Sequence, residues 1–255
     1  MKLIVTAGHN KSLPTIALLD ALLHDGHEVM NVLVVNAFQP SRLCSYLRQY
    51  GISTTIAKFE SHYLQKQTTY LSRETLPIKS YIKSRNIVTS SIRGFCAARA
   101  IPFSRVNSLA SVKAIKCSQD NSPDLIIYSG GGILRNAFIK TARIGVLNAH
   151  SGPLPAIRGM NAIEWSLIEG LEPTTTVHLI DSGIDTGRIL HSELIPTGEK
   201  DDIYDLRGKA VVHNIELITK VLRSIDEYLI AATTQCAASG KQYFVMHSRI
   251  KALLK

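Results

Sequence analysis

Cysteine is scarce and scattered. Cys44, Cys96, Cys117 and Cys236 are the four thiols, and no two form a CxxC pair. That excludes zinc-ribbon and dithiol redox motifs and fits reduced thiols. The nine histidines show no HxxxH or HExxH spacing, so no metal site is expected. No serine or cysteine sits in a GxSxG context, which argues against a covalent acyl-enzyme. No apolar run approaches the length of a membrane span, and MKLIVTAGHN is too short for a signal-peptide core. The expectation is therefore a cytoplasmic protein with no membrane partner. Repeats and low-complexity segments are missing as well. The last absence is of acids: between Glu74 and Asp120 there is none, while Lys79, Lys83, Arg85, Arg93, Arg99, Arg105, Lys113 and Lys116 fall inside.

What is present is an ordinary globular composition, 45% hydrophobic and 19% charged, with a net charge of +9. A chain of 255 residues has room for one large domain or a domain with a modest tail. KLIVTA (2–7), VMNVLVV (29–35) and STTIAKF (53–59) are short apolar runs. The first two flank a segment of helical spacing, and a polar helix candidate lies around Pro40–Tyr50. This alternation predicts an α/β fold with a mostly parallel, helix-covered sheet. Residues 60–120 are polar, with Pro77 and Pro102 as the clearest breaks. Strands are expected again at 124–134, 144–150, 174–180 and 188–195, with helices over 136–142 and 162–170. Val211, Ile215, Ile218, Leu222, Ile225 and Leu229 form one helical apolar stripe. A short closing strand and helix follow Gly240.

The chemistry concentrates in VLNAHSGPLPAIRG (146–159). Side chains alternate along a strand, so Asn148 and His150 share a face at a strand's carboxyl end, where α/β sheets bind ligands. A lone strand-end histidine is usually structural. HLIDSGIDTGRIL (178–190) supplies a partner: Asp185 lies in a turn between Gly183 and Gly187 and can orient an imidazole and raise its pKa. Asp181 competes for that role, but its ordinary reading is a turn acid. An amide, an imidazole and a carboxylate suit attack of an amine on a carbonyl. The amide stabilises the oxyanion, and the imidazole or carboxylate collects the amine's proton. Gly130, Gly131 and Gly132 permit close backbone approach to a flat ligand. Trp165, the one tryptophan, either lines a pocket or packs its helix.

NAHSGPLPAIRGMNAIEWSLIEG followed by TTTVHLIDSGIDTGRIL resembles the N10-formyltetrahydrofolate-dependent formyltransferases. The matching positions are Asn148, His150, Leu154, Pro155, Arg158, Gly159 and Asp185–Gly187, and the likeness is strong over about 124–195. The resemblance implies a Rossmann-like formyltransferase fold with Asn148, His150 and Asp185 as the catalytic set. It also implies a pterin site made by Gly132, Ile133 and Leu134, with Ile139 and Val146 as apolar walls and Asp181, Ser182 and Gly183 opposite. N10-formyltetrahydrofolate would be the formyl donor, with no metal.

The segment after the first strand, TAGHNKS, keeps only Gly8 of the phosphate loop found in the glycinamide ribonucleotide enzymes. Gly8, Lys11 and Ser12 could still hold a phosphate at a helix N-terminus. About 60 residues follow Pro196 and read mainly as one helix, against the barrel domain of methionyl-tRNA formyltransferases. The wording GPLPAIRGMNAIEW and QYFVMH is most similar to stand-alone sugar N-formyltransferases. The expected acceptor is therefore the primary amine of a nucleotide-linked amino sugar, held in part by Arg158 and Gly159. The alternatives are an aminoacyl-tRNA or another small-amine acceptor, or a folate or nucleotide binder without turnover. The basic segment either meets a polyanion or is a solvated face. Residues 1–195 are expected to form the catalytic domain, with 196–255 packing on it or on a second copy as a homodimer.

Overall fold

The computed structural model describes residues 1–36, 69–236 and 238–254. The expected helix around 40–50 and strand at 53–59 lie outside the described residues. Among the described residues, seven strands form the main sheet: β1 (Lys2–Ala7), β2 (Glu28–Val35), β3 (Phe103–Val106), β4 (Leu125–Ile127), β5 (Gly145–His150), β7 (Thr174–Leu179) and β8 (Ile189–Leu194). Their spatial order is β3-β2-β1-β4-β5-β7-β8. The first five run parallel, whereas β5–β7 and β7–β8 are antiparallel. A separate pair joins β6 (Ile157–Gly159) to β9 (Lys241–Tyr243) in parallel.

The central strands are apolar on both faces because both are covered. Alternation splits them: Leu3, Val5 and Ala7 join the larger core, while Ile4 joins a second core with Leu33, Ile126, Phe138 and Val146. The helices on the larger core include α1 (Leu13–His24), α2 (Thr69–Ser84) and α3 (Ile92–Ala97). α1 starts at Ser12, whose hydroxyl accepts from the Thr15 amide, with Pro14 in the first turn. α4 (Val112–Asn121) and the single turn α5 (Asn136–Ile139) lie on the other face, and α6 (Ala162–Ile168) follows β6. The Phe138 ring is fully buried. Phe138→Ala is expected to lower unfolding free energy by about 3–5 kcal/mol, measurable by urea denaturation.

Two sequence expectations change. Pro77 does not break the chain but lies inside α2. It packs where α2 crosses α7 (Ile203–Arg223): a Cβ on Gly208 would sit 3.0 Å from the Pro77 ring and 2.8 Å from the Glu74 carbonyl. Tertiary packing there overrides the local preference. The long apolar stripe is not one helix. Ser224, at φ −131°, separates α7 from α8 (Ile225–Ala231). The larger core nevertheless takes Ile215, Ile218, Val221, Leu222 and Ile225 together with β1 and α1, so it runs across residue 195 without a break.

Part of the basic segment is internally paired. Arg85 and Arg99 both meet Asp20, and Arg99 also lies 3.8 Å above the Phe95 ring. After β9 the chain forms a last short helix, α9 (Ser248–Lys251).

Candidate active site

β5 ends beside β7 in a register that places Asn148 opposite His178 and His150 opposite Thr176. The turn after β7 returns Asp185 to the same place. Asp185 Oδ2 lies 3.5 Å from His150 Nδ1, and Oδ1 lies 3.5 Å from His178 Nε2. Asn148 Nδ2 is 3.1 Å from His178 Nε2. Asn148, His150 and Asp185 are thus brought together, and His178 joins them. Sequence reasoning missed His178, although it opens the motif that contains Asp185.

Asp185 and Asp181 do different things. Asp181 is exposed, and its Oδ1 accepts from the Gly183 amide at 2.9 Å and from the Thr186 hydroxyl at 2.6 Å, which closes the turn. Asp185 adopts a positive φ of 52°. Its Oδ2 accepts from the Gly159 amide at 2.9 Å, and the Gln235 amide donates to its carbonyl at 3.0 Å.

The carbonyl partners assign the tautomers. His150 Nε2 lies 2.9 Å from the Ile157 carbonyl, which can only accept, so Nε2 carries the proton. His178 Nδ1 lies 3.0 Å from the Leu179 carbonyl and carries its proton by the same argument. In the neutral rings, His150 Nδ1 and His178 Nε2 then present lone pairs to Asp185, and the Asn148 amide donates to the latter.

His150 was expected to have its pKa raised by the carboxylate. The opposite holds. Burial, with only 8% of the residue exposed, pushes it below 6.5 and outweighs the attraction of Asp185. Burial pushes the Asp185 carboxyl up, but the neighbouring His178 and His150 rings and the Gly159 amide more than offset this, so it lies below its ordinary value. A carboxylate held toward its charged form thus faces a His150 ring that burial holds toward its neutral form, across a 3.5 Å gap that a proton would close.

Other predicted residues divide. Gly8 packs on the glycine run after β4: a Cβ on Gly130, whose φ is +104°, would come within 3.3 Å of the Gly8 amide nitrogen. Lys11 and Ser12 line a cavity of about 570 Å³ with Thr75, Ser151, Asn161 and Arg207. A smaller cavity of about 230 Å³ reaches Tyr128, Asn148 and Asn214, and the two share Pro14 and Val211. Gly132 and Ile133 are exposed, and the Tyr128 hydroxyl donates to the Gly132 carbonyl at 3.0 Å. Ser182 and Gly183 are exposed, while Leu134 and Ile139 pack partly against the second core.

Val146 is not a ligand wall: it is fully buried among core side chains and has no surface to offer. Arg158 is also turned away from a ligand role. It is 7% exposed, and its guanidinium donates to the carbonyls of Pro155 at 3.3 Å and Ser239 at 3.0 Å. Gly159 serves through its amide on Asp185. The Trp165 ring packs on Tyr243, 4.9 Å between centroids. Among the described residues no group of three or more His, Cys, Asp or Glu could hold a metal ion, and no helix is long and apolar enough to cross a membrane.

An open α/β sheet here gathers an amide, two imidazoles and a carboxylate at a strand end, groups that can move a proton and stabilise a developing charge. The chain belongs to the formyl transferase family, whose model matches residues 1–222. A methionyl-tRNA formyltransferase from Thermodesulfovibrio yellowstonii is 28% identical over 163 residues, 63% of this chain and 53% of that one. The chain spans about half the length of the curated relatives it matches. Among solved structures, the phosphoribosylglycinamide formyltransferase from Anaplasma phagocytophilum superposes with a TM-score of 0.57 at 16% identity, covering 96% of this chain and 99% of that one. An N-formyltransferase from Helicobacter canadensis, in complex with folinic acid and dTDP-3-aminofucose, gives 0.52 at 14% identity, covering 95% and 70%. At such identities these two likenesses show the fold.

Proposed function

We propose that the chain transfers a formyl group from N10-formyltetrahydrofolate to the primary amine of a nucleotide-linked amino sugar. The observation that carries this reading is a pair of neighbouring cavities that share Pro14 and Val211 in their linings. One is lined by Lys11 and Ser12 at the start of α1, the other by Asn148 at the end of β5. A phosphate suits the α1 N-terminus, where backbone amides and Lys11 offer positive charge. The sugar amine would then lie toward Asn148. The Helicobacter canadensis neighbour, whose complex holds an amino sugar nucleotide, supports the acceptor class.

The donor supplies an activated formyl carbonyl. Gly132, Ile133 and Leu134, with Asp181, Ser182 and Gly183, would hold its pterin. The fit rests on exposed Ile133, 68% accessible, and on the Gly132 carbonyl pinned by Tyr128. An Asn amide has two N–H donors. One goes to His178, and the second is available to the charge developing on the formyl oxygen. As the amine nitrogen bonds to the formyl carbon, its proton passes to Asp185 and the facing Nδ1 of His150. It returns to the donor nitrogen as the old C–N bond breaks.

The test is a mass-spectrometric assay with formyltetrahydrofolate and a panel of nucleotide-linked amino sugars. One sugar should gain one formyl group. Lys11→Ala should raise KM for that sugar about tenfold, as expected for a lost charge-assisted phosphate contact, and leave kcat nearly unchanged. Formylation of aminoacyl-tRNA but of no sugar would replace the acceptor.

A further inference from the structure

The two backbone groups that hold the catalytic pair belong to one three-residue strand. The Ile157 carbonyl fixes His150 Nε2, and the Gly159 amide fixes Asp185 Oδ2. This strand, β6, is not part of the main sheet. Among the described residues it pairs only with β9, from the C-terminal tail, with Ile157 opposite Lys241 and Gly159 opposite Tyr243. We infer that residues 238–246 act as a positioning strap, which holds His150 and Asp185 in register by fixing β6 from behind.

The strap is fastened at several points. The Lys241 amide donates to the Ala156 carbonyl, and the Met160 amide to the Tyr243 carbonyl, both at 3.0 Å. Arg158, buried, reaches the Ser239 carbonyl. The Trp165 indole N–H donates to the Phe244 carbonyl at 3.0 Å, and the Met246 amide donates to the Asn161 side chain at 3.0 Å. The approach is too close for side chains. A Cβ on Gly240, whose φ is +115°, would come within 1.8 Å of the Pro155 carbonyl oxygen, and one on Gly159 within 2.2 Å of the Tyr243 oxygen. Two glycines at the two ends of the contact allow one backbone to lie against the other. The arrangement also gives Arg158 and Trp165 roles in fastening the strap to the catalytic loop.

The inference rests on the catalytic reading of His150 and Asp185, and the experiment separates the two. Gly240→Ala and Trp165→Phe would be compared with the wild type and with His150→Ala in the intact protein, under saturating donor and acceptor. Trp165→Phe keeps a ring against Tyr243 but removes the hydrogen bond to Phe244, so it provides the reading if Gly240→Ala does not fold. Gly240→Ala should lower kcat at least tenfold with donor KM within about twofold, because lost positioning acts on the reacting geometry. The milder Trp165→Phe should lower kcat about threefold. Loosening β6 also admits water to His150 and relieves the burial that depresses its pKa. The acid limb of the kcat profile should therefore move to higher pH in both variants, which loss of stability alone would not cause. Unchanged kcat and an unmoved limb, with His150→Ala inactive, would overturn the strap alone. Full turnover in His150→Ala would overturn the catalytic reading and the strap with it.

Discussion

Asp185→Asn is expected to reduce kcat by about 10²- to 10⁴-fold, the range for loss of a positioned proton acceptor, with little change in substrate KM. The carboxylate is the group toward which His150 Nδ1 and His178 Nε2 both point. An asparagine of the same shape keeps an oxygen for the Gly159 amide but carries no charge. The pH profile adds a signed test. Burial already holds the His150 pKa below 6.5, and the Asp185 charge is what opposes that shift. Removing the charge lets His150 fall further, so the acid limb of the residual activity should move to lower pH. Steady-state kinetics of the variant across pH 5–8 would decide it. An acid limb that stayed in place would mean that His150 is not the titrating group.

Asn148→Ala is expected to reduce kcat by about 10²- to 10³-fold, the usual effect of deleting one donor to a developing oxyanion. The amide also serves His178. Without its N–H, the His178 Nε2 atom keeps the Asp185 carboxylate at 3.5 Å but loses its hydrogen-bond donor. His178 is 1% exposed and cannot recruit bulk water freely. The variant should bind donor with near-normal affinity, since Asn148 is not among the proposed pterin contacts. A wild-type rate would remove Asn148 from the oxyanion role, and a lost donor affinity with normal kcat would do the same.

How much of this was legible in the sequence follows from what is local. The face shared by Asn148 and His150 follows from alternation along one strand. The separate roles of Asp181 and Asp185 follow from turn chemistry within seven residues. The strands β1, β2, β4 and β5 announce themselves as apolar runs, and β7 and β8 as segments rich in β-branched residues and alternation. His178 was not legible, because its partnership with Asn148 depends on an antiparallel register between strands 30 residues apart. The backbone groups of Ile157 and Gly159 were not legible either, since any residue has a carbonyl and nearly any an amide. Arg158 misled for a related reason: an arginine beside a catalytic loop suggests a phosphate, but its direction is set by the tail 81 residues later. Pro77 and Ser224 reversed two local rules, one tolerated inside a helix by packing and one ending a helix without glycine or proline.

The strand order has a consequence for how two substrates can share one sheet. Chain progression reverses between β1 and β4, the strands whose following loops bring Gly8 against Gly130. Strand direction reverses two strands further on, between β5 and β7, where Asn148 meets His178. The first discontinuity opens a crevice, and the second delivers a side chain and its loop from the opposite direction. An acceptor entering by the first and a donor held near the second would meet at the end of β5. Changes in the segments over β1 and α1 could then exchange one acceptor for another, while the seam that handles the proton keeps its geometry.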